Sequence, residues 1–293
     1  MNPAGWFLLG APWDCSGTGR GEQAAPAALR DAGLSTLVAH DLGDADTVID
    51  SRHRDPDTGV LALPETVRAA EALGEAFAAG LRDYPGRRPL VVGGDCSILL
   101  GILPALRRRS DHVGLWFVDG HPDYVDALAS STGETADLDL AALTGDGPAP
   151  LVALTGDTPA VPAELAVLIG HRTRDLDPDS AAELARVPAA LKALDADVVR
   201  RDPAGAGGRA ANWVAAHPAW VHGGLDVLDP EALPAVTYPQ PGGPGWDDLA
   251  ALLAPLARSP RLLGASVADF RPDLDPTGAL AARIVALLHD VLP

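Results

Sequence analysis

The segment Val118-Asp119-Gly120-His121-Pro122-Asp123 sets a carboxylate, an imidazole and a second carboxylate at alternating positions. Where a chain leaves a strand, alternate residues can point to one side, so these three can converge. Carboxylate oxygens with an imidazole suit a borderline-hard divalent cation such as Mn²⁺ or Zn²⁺. Taken alone, the same residues also fit a helix-capping Asp and a solvated loop His. A second segment is Gly93-Gly94-Asp95-Cys96-Ser97. Its glycines allow backbone to approach a site closely, and Cys96 reads either as a thiolate ligand or as a small buried hydrophobe. A third runs from His222 through Gly223, Gly224, Leu225, Asp226, Val227, Leu228 and Asp229 to Pro230. On a strand His222, Gly224 and Asp226 share one face, so His222 and Asp226 can both look toward the site. Asp229, just before Pro230, reads as a turn or cap residue. Two further features carry little. The run Gly17-Thr18-Gly19-Arg20-Gly21 lacks the spacing of a dinucleotide-binding loop, and Cys15, with no partnered His identifiable, reads as a buried thiol.

These residues need elements to hold them. Short apolar runs at 5–10, 89–94, 113–120, 165–170, 219–227 and 261–270 each end in a polar or glycine-rich turn. Apolar continuity without alternation suits parallel strands covered on both faces. Between them, Ala/Leu/Arg-rich segments at 65–82, 179–194, 246–257 and 276–291 have helical spacing. Strand and helix alternate, which predicts a mostly parallel sheet with helices on both faces. Segments 41–63 and 144–162, rich in Asp, Gly, Thr and Pro, read as loops, and 200–211 reads as a mobile surface connection. No repeat or composition break marks a second domain, so 1–293 reads as one unit. In parallel α/β sheets ligands bind beyond the carboxyl ends of the strands. The clusters Asp95/Cys96, Asp119/His121/Asp123 and Asp226/Asp229 follow predicted strands in just that way.

Together the pieces resemble the ureohydrolase (arginase/agmatinase) family over nearly the whole chain. Residues 10–30 resemble its N-terminal strand, loop and helix. GGDCS resembles its GGDHS, VDGHPD its DAHxD, HGGLDVLDP its xxDxDxxDP, and PQPGG (239–243) its PEPGG. Residues 262–288 resemble its C-terminal strand and last helix. The GGDC segment, with DGH and the "TGE…DLDL" loop, is similar to a branch that includes the hydroxyarginine hydrolase of cycloserine biosynthesis. The resemblance implies a three-layer α/β/α sandwich with a sheet of about eight parallel strands. It also implies a two-metal site, with manganese foremost and zinc or iron as alternatives, that activates water for attack on a guanidinium carbon. Carried onto this chain, one metal takes the positions of Cys96, Asp119, Asp123 and Gly224, the other those of Asp119, His121, Gly224 and Asp226. The implied function is hydrolysis of a linear guanidine or amidine C–N bond. The alternative is a catalytically degenerate member that binds a small ligand.

Several positions depart from the family pattern. Cys96 stands for a His; a thiolate can still ligate, and its softness favours zinc or iron. Gly224 stands for the Asp that serves both metals and has no side chain to ligate with. Weak or partial metal binding is therefore expected, and Gly224→Asp is expected to raise affinity unless Gly224 makes room for a repacked His222 or a ligand. Gln240 replaces a guanidinium-pairing Glu, which removes a charge-assisted hydrogen bond, and Asp269 stands for the Glu of the C-terminal strand. Both are expected at the substrate. The family's proton-shuttle His falls on Ala136 by spacing, leaving Glu134, Asp137 or Asp139 to take over acid/base work, with Asp139 reading equally as a helix-surface carboxylate. Asp119, His121 and Glu134 are the residues expected to carry catalysis.

Composition excludes other roles. The 293 residues are 47% hydrophobic and 21% charged, enough for one large core. Aromatics are only 4%, so Ala, Leu and Val must fill most of the interior. A net charge of −18 disfavours nucleic acid and anionic membranes, both polyanions. Two cysteines make no disulfide framework. The opening residues lack the basic region of a signal peptide, and no run reaches membrane-spanning length. A cytoplasmic, soluble protein with a small-molecule substrate is expected, assembled as a homo-oligomer.

Overall fold

Eight parallel strands form one sheet in the order β2-β1-β3-β8-β7-β4-β5-β6. They are β1 (Trp6–Ala11), β2 (His40–Asp44), β3 (Arg88–Gly93), β4 (Gly114–Val118), β5 (Ala166–Ile169), β6 (Lys192–Leu194), β7 (Ala219–Gly224) and β8 (Leu262–Ala268). The computed structural model describes residues 5–156 and 158–292; Met1 to Ala4, Asp157 and Pro293 lie outside the described residues, as do the parts of the N-terminal and 144–162 readings that fall on them. The six apolar runs all become strands, and β1, β4 and β5 are buried along their whole length, as two-sided cover requires.

Helices cover both faces. Helices α2 (Leu63–Asp83), α3 (Leu99–Arg107), α4 (Asp139–Thr144) and α5 (Ala149–Val152) pack successively on one another. The second row is α7 (Ala196–Arg201), α8 (Pro203–Trp213), α9 (Trp246–Ala257), α10 (Ala279–Val291) and α1 (Ala25–Asp31). Two adjacent residues of β4 show the division. Trp116 donates from Nε1 to the Ala210 carbonyl of α8 at 2.9 Å, whereas Phe117 stacks on His222 of β7. Trp220, on the same face as His222, meets Phe77 of α2 edge-on at 5.6 Å.

The structure corrects four sequence readings. Residues 40–44, mostly placed in a loop, form edge strand β2; a half-exposed edge carries no apolar run. The 179–194 helix stops early: α6 covers Pro178–Arg186, and β6 occupies Lys192–Leu194. Val187 precedes Pro188, and a residue before proline is pushed out of the helical region. The stretch 144–162 contains α5 and a 3₁₀ turn at Ala153–Thr155. Residues 200–211 are not a mobile connection but mostly α8, with Asp202 accepting from Gly205 N–H and Pro203 in the first turn. Its glycines serve close packing: a Cβ on Gly207 would lie 2.2 Å from the Leu252 carbonyl of α9. No helix among the described residues is long and apolar enough to cross a membrane.

Candidate metal centre

Strands β3, β8, β7 and β4 are the middle four of the sheet. Their carboxyl ends deliver, in that spatial order, Cys96, Asp269, Asp226 and Asp119. The turn after β3 shows why the sequence is Gly-Gly-Asp-Cys-Ser. A Cβ on Gly94 would sit 1.5 Å from the Trp13 carbonyl, so only glycine fits. Asp95 is a strut: Oδ2 accepts from Cys15 N–H at 2.7 Å and Oδ1 from Ser97 N–H at 3.1 Å, capping the short turn that carries Cys96. The Gly94 carbonyl then accepts from Asp269 N–H at 2.7 Å and pins the end of β8 beside it.

Of the five expected ligands, Cys96, Asp119, His121 and Asp123 fall into donor groups, whereas Asp226 falls in none of them and meets the cluster through His121. Ligand atoms of Asp119, His121 and Asp123 lie within 4.8 Å of one another, as do those of Cys96, Asp119 and Asp269, and those of Cys96, Asp123 and Asp139. His121 Nδ1 is 2.9 Å from Asp226 Oδ2 and 3.7 Å from Asp119 Oδ1. The Cys96 thiol donates to Asp123 Oδ2 at 3.3 Å and to the Ala136 carbonyl at 3.4 Å. Asp123 and Asp269 hold left-handed backbone, φ 49° and 69°. Non-glycine residues there cost of order 1 kcal/mol or more and concentrate at functional sites.

The electrostatics are those of a cluster short of positive charge. Burial, then Asp226, pushes Asp119 up to about 7. Burial and neighbouring carboxylates hold Asp123, Asp139 and Asp269 well above the usual carboxylate range, and burial pushes the Cys96 thiol up. Burial works against a charged His121, but Asp226 and Asp119 outweigh it and raise its affinity for a proton. Asp119 Oδ2, Asp269 Oδ2 and both Asp139 oxygens are buried with no hydrogen-bond partner. Buried acceptors without donors are costly. A divalent cation would satisfy them, and this donor set fits one.

The cluster floors a cavity of about 480 Å³. Asp137, Asp179, Glu183, Thr132, Tyr238 and Gln240 are among its walls, so it suits a cationic ligand. A neighbouring cavity of about 550 Å³, lined by Arg174 and Arg200 among others, contains none of the donor cluster.

Other expected residues fall differently. Glu134 does not line the cavity: Arg20 grips it through two contacts of 3.0 Å, and Tyr238 donates to it at 3.3 Å. Asp137, from the same loop, does line the cavity. Gln240 lines it too, with Oε1 buried and unpartnered. Asp269, expected at the substrate, sits among the metal-type donors and accepts from Cys96 N–H at 3.1 Å. His222 lies deeper under the same sheet face, bound to Ser266 Oγ at 2.8 Å and absent from the donor groups. Gly224 does make room, though not for His222, which is engaged with Ser266. A Cβ there would lie 2.0 Å from Asp119 Oδ2 and 3.0 Å from Asp269 Oδ2, so an Asp at 224 would have to displace both carboxylates. Cys15 is buried, and burial raises its thiol well above the usual range. Asp229 is a turn residue that accepts from Glu231 N–H and Gly242 N–H.

Sequence reasoning missed Arg172. Its guanidinium is buried after β5 and donates to the carbonyls of Gly170 and Val227 at 3.0 and 2.9 Å, and of Leu228 and Gln240 at 3.2 and 2.6 Å. It ties the Asp226 loop to the Gln240 loop. An Arg just past the apolar run 165–170 was the available signal. Neighbouring His171 is also buried, with Nδ1 unpartnered. Burial lowers it from 6.5 to about 4, against a smaller opposing effect of Asp195. Between those values the unfolded chain holds a proton that the folded chain does not, so stability falls as pH drops through that window. Relative to His171→Gln, the wild-type chain should lose up to about 1.4 kcal/mol per pH unit there, and nothing above it. Urea titrations of both proteins at several pH values check this; parallel stability–pH curves would refute it.

Fold and donors together define a class: a parallel α/β protein with a buried carboxylate–imidazole–thiol cluster at the carboxyl edge of its sheet. A model of the arginase family matches residues 4–290. An arginase from Brevibacillus brevis is 29% identical over 292 residues, 97% of this chain and 96% of its own. The solved arginase of Bacillus caldovelox superposes with a TM-score of 0.84 at 27% identity, covering 99% of this chain and 98% of that one. A formimidoylglutamase from Bacillus subtilis shares the fold at 19% identity, with a TM-score of 0.76 and coverage of 99% and 87%. The chain belongs to the arginase family.

Proposed function

We propose that this protein is a divalent-metal-dependent hydrolase of a linear guanidine or amidine C–N bond, on a substrate that carries a positive charge. The observation that supports the reading most is the convergence of Cys96, Asp119, His121, Asp123, Asp226 and Asp269 on the floor of an acid-walled cavity. Manganese is the working ion in this reading, and the Cys96 thiolate brings zinc or iron into competition. When bound, the metal supplies a nucleophile at neutral pH and stabilises developing charge. The chain's own groups do the rest. Asp137 and Glu183 place negative charge along the cavity and favour a cationic substrate. Gln240, with a free buried Oε1, both accepts and donates to the reacting head group. Asp226 orients the His121 ring through its 2.9 Å contact. In this reading Asp137, which lines the cavity and accepts from Ser130 Oγ at 3.1 Å, passes a proton to the departing amine.

The head group follows from Gln240. A neutral amide cannot form the charge-assisted bond that a carboxylate makes to a guanidinium, a bond worth about 1.5–3 kcal/mol, or roughly tenfold or more in rate. Metal-loaded protein is therefore expected to process a substrate with a hydroxyguanidine or neutral amidine-like head group, its positive charge carried elsewhere in the molecule, at least about tenfold better in kcat/KM than arginine. Urea, hydroxyurea and ammonia release from the matched substrates measure this. Efficient urea release from arginine would reject the preference. A second reading, a catalytically inert ligand-binding member, draws on Gly224 and on the capture of Glu134 by Arg20. Tight metal loading with no turnover of any of these substrates would favour it.

A further inference from the structure

We propose that Asp139 and Asp269 are metal ligands, and that with Cys96 they replace the carboxylate missing at Gly224. The inference rests on the metal-dependent reading above, but not on which substrate is used.

The space beside Gly224 is already filled by carboxylate. A Cβ at 224 would meet Asp119 Oδ2 at 2.0 Å and Asp269 Oδ2 at 3.0 Å, and both oxygens are buried without a donor. Asp269 reaches this place from the end of β8 because its backbone is left-handed and its other oxygen accepts from Cys96 N–H. A shorter side chain than Glu, on a strained backbone, therefore puts its charge at the metal centre. Asp139 comes from a separate element, the first turn of α4. It is fully buried, and its oxygens make no full hydrogen bond, only close approaches to the Leu140 N–H and the Asp123 carboxyl. Such a residue would be expected to be apolar unless something charged met it. Its ligand atom falls within 4.8 Å of those of Cys96 and Asp123. Cys96 Sγ belongs to both groups, so one thiolate can serve the two carboxylates together. Two added carboxylates and a thiolate supply the negative charge that a glycine at 224 withholds, and charge between cations is what a multi-metal site needs.

The test uses the full-length protein, titrated calorimetrically with Mn²⁺ and with Zn²⁺, alongside Co²⁺ absorption spectra and metal-induced melting shifts. Asp139→Asn and Asp269→Asn should each lower metal affinity at least about tenfold, since loss even of an outer group costs 10–100-fold. Co²⁺-loaded wild-type protein should show a thiolate-to-metal charge-transfer band that Cys96→Ser abolishes. Gly224→Asp should not raise affinity. Asp139→Asn and Asp269→Asn proteins that bind metal like wild type, or a Gly224→Asp protein that binds better, would overturn the proposal. Should an Asn variant fail to fold, absence of the Cys96-dependent band in wild-type protein overturns it instead. A wild-type chain that takes up neither ion overturns both this proposal and the metal-dependent reading. Binding with no turnover rejects the hydrolase reading alone.

Discussion

Asp119→Asn is expected to reduce divalent-metal affinity by at least about 100-fold and to remove turnover with it. Asp119 belongs to two of the three donor groups, with His121 and Asp123 on one side and with Cys96 and Asp269 on the other. Its Oδ1 accepts from His121 N–H at 2.8 Å, and its Oδ2 is buried with no donor. An amide keeps the size but offers one weak acceptor where the carboxylate offered two charged ones. The effect should fall on metal binding and not on folding, because removing a charge from a buried acidic cluster relieves repulsion in the metal-free protein. Calorimetric titration with Mn²⁺ and melting curves with and without metal measure both halves. A variant that binds metal normally but melts early would show Asp119 to be a structural carboxylate.

Replacing Arg172 by Met should have the largest effect on stability, a loss of roughly 3–5 kcal/mol. The guanidinium donates to at least four backbone carbonyls from three segments, and those of Gly170, Val227 and Leu228 lose this buried partner when it goes. Arg172→Lys should recover little, since three donors on one nitrogen cannot reproduce a planar fork of five. The loss should reach the site as well, because the tied loops carry Asp226 and Gln240. Denaturant titration of wild type and both variants checks the magnitude, and a loss below about 1 kcal/mol would mean that water replaces the guanidinium without cost.

How far the site was legible follows the reach of each signal. The D-x-H-x-D and GGDCS segments could be read because each places its donors through a strand end or tight turn a few residues long. The position of Asp269 could not be read in this way: it meets the Cys96 N–H across 173 residues of chain. The misread of 200–211 has a similar cause. Its glycines look like loop residues until α9 is packed against them.

By itself the sequence determined the parallel α/β plan, the strand ends that bear the chemistry, and the family. The plan and the strand ends depend on apolar continuity and on side-chain alternation, both local properties of a few residues, and the family on short motifs met in order along the chain. Tertiary structure alone decided that Glu134 is bound by Arg20, that Gly224 is occupied by its neighbours' carboxylates, and that Asp139 joins Cys96. Each of these sets side chains from separate elements against one another in a close-packed interior. There the outcome depends on which atoms already fill the space, and no single segment carries that information.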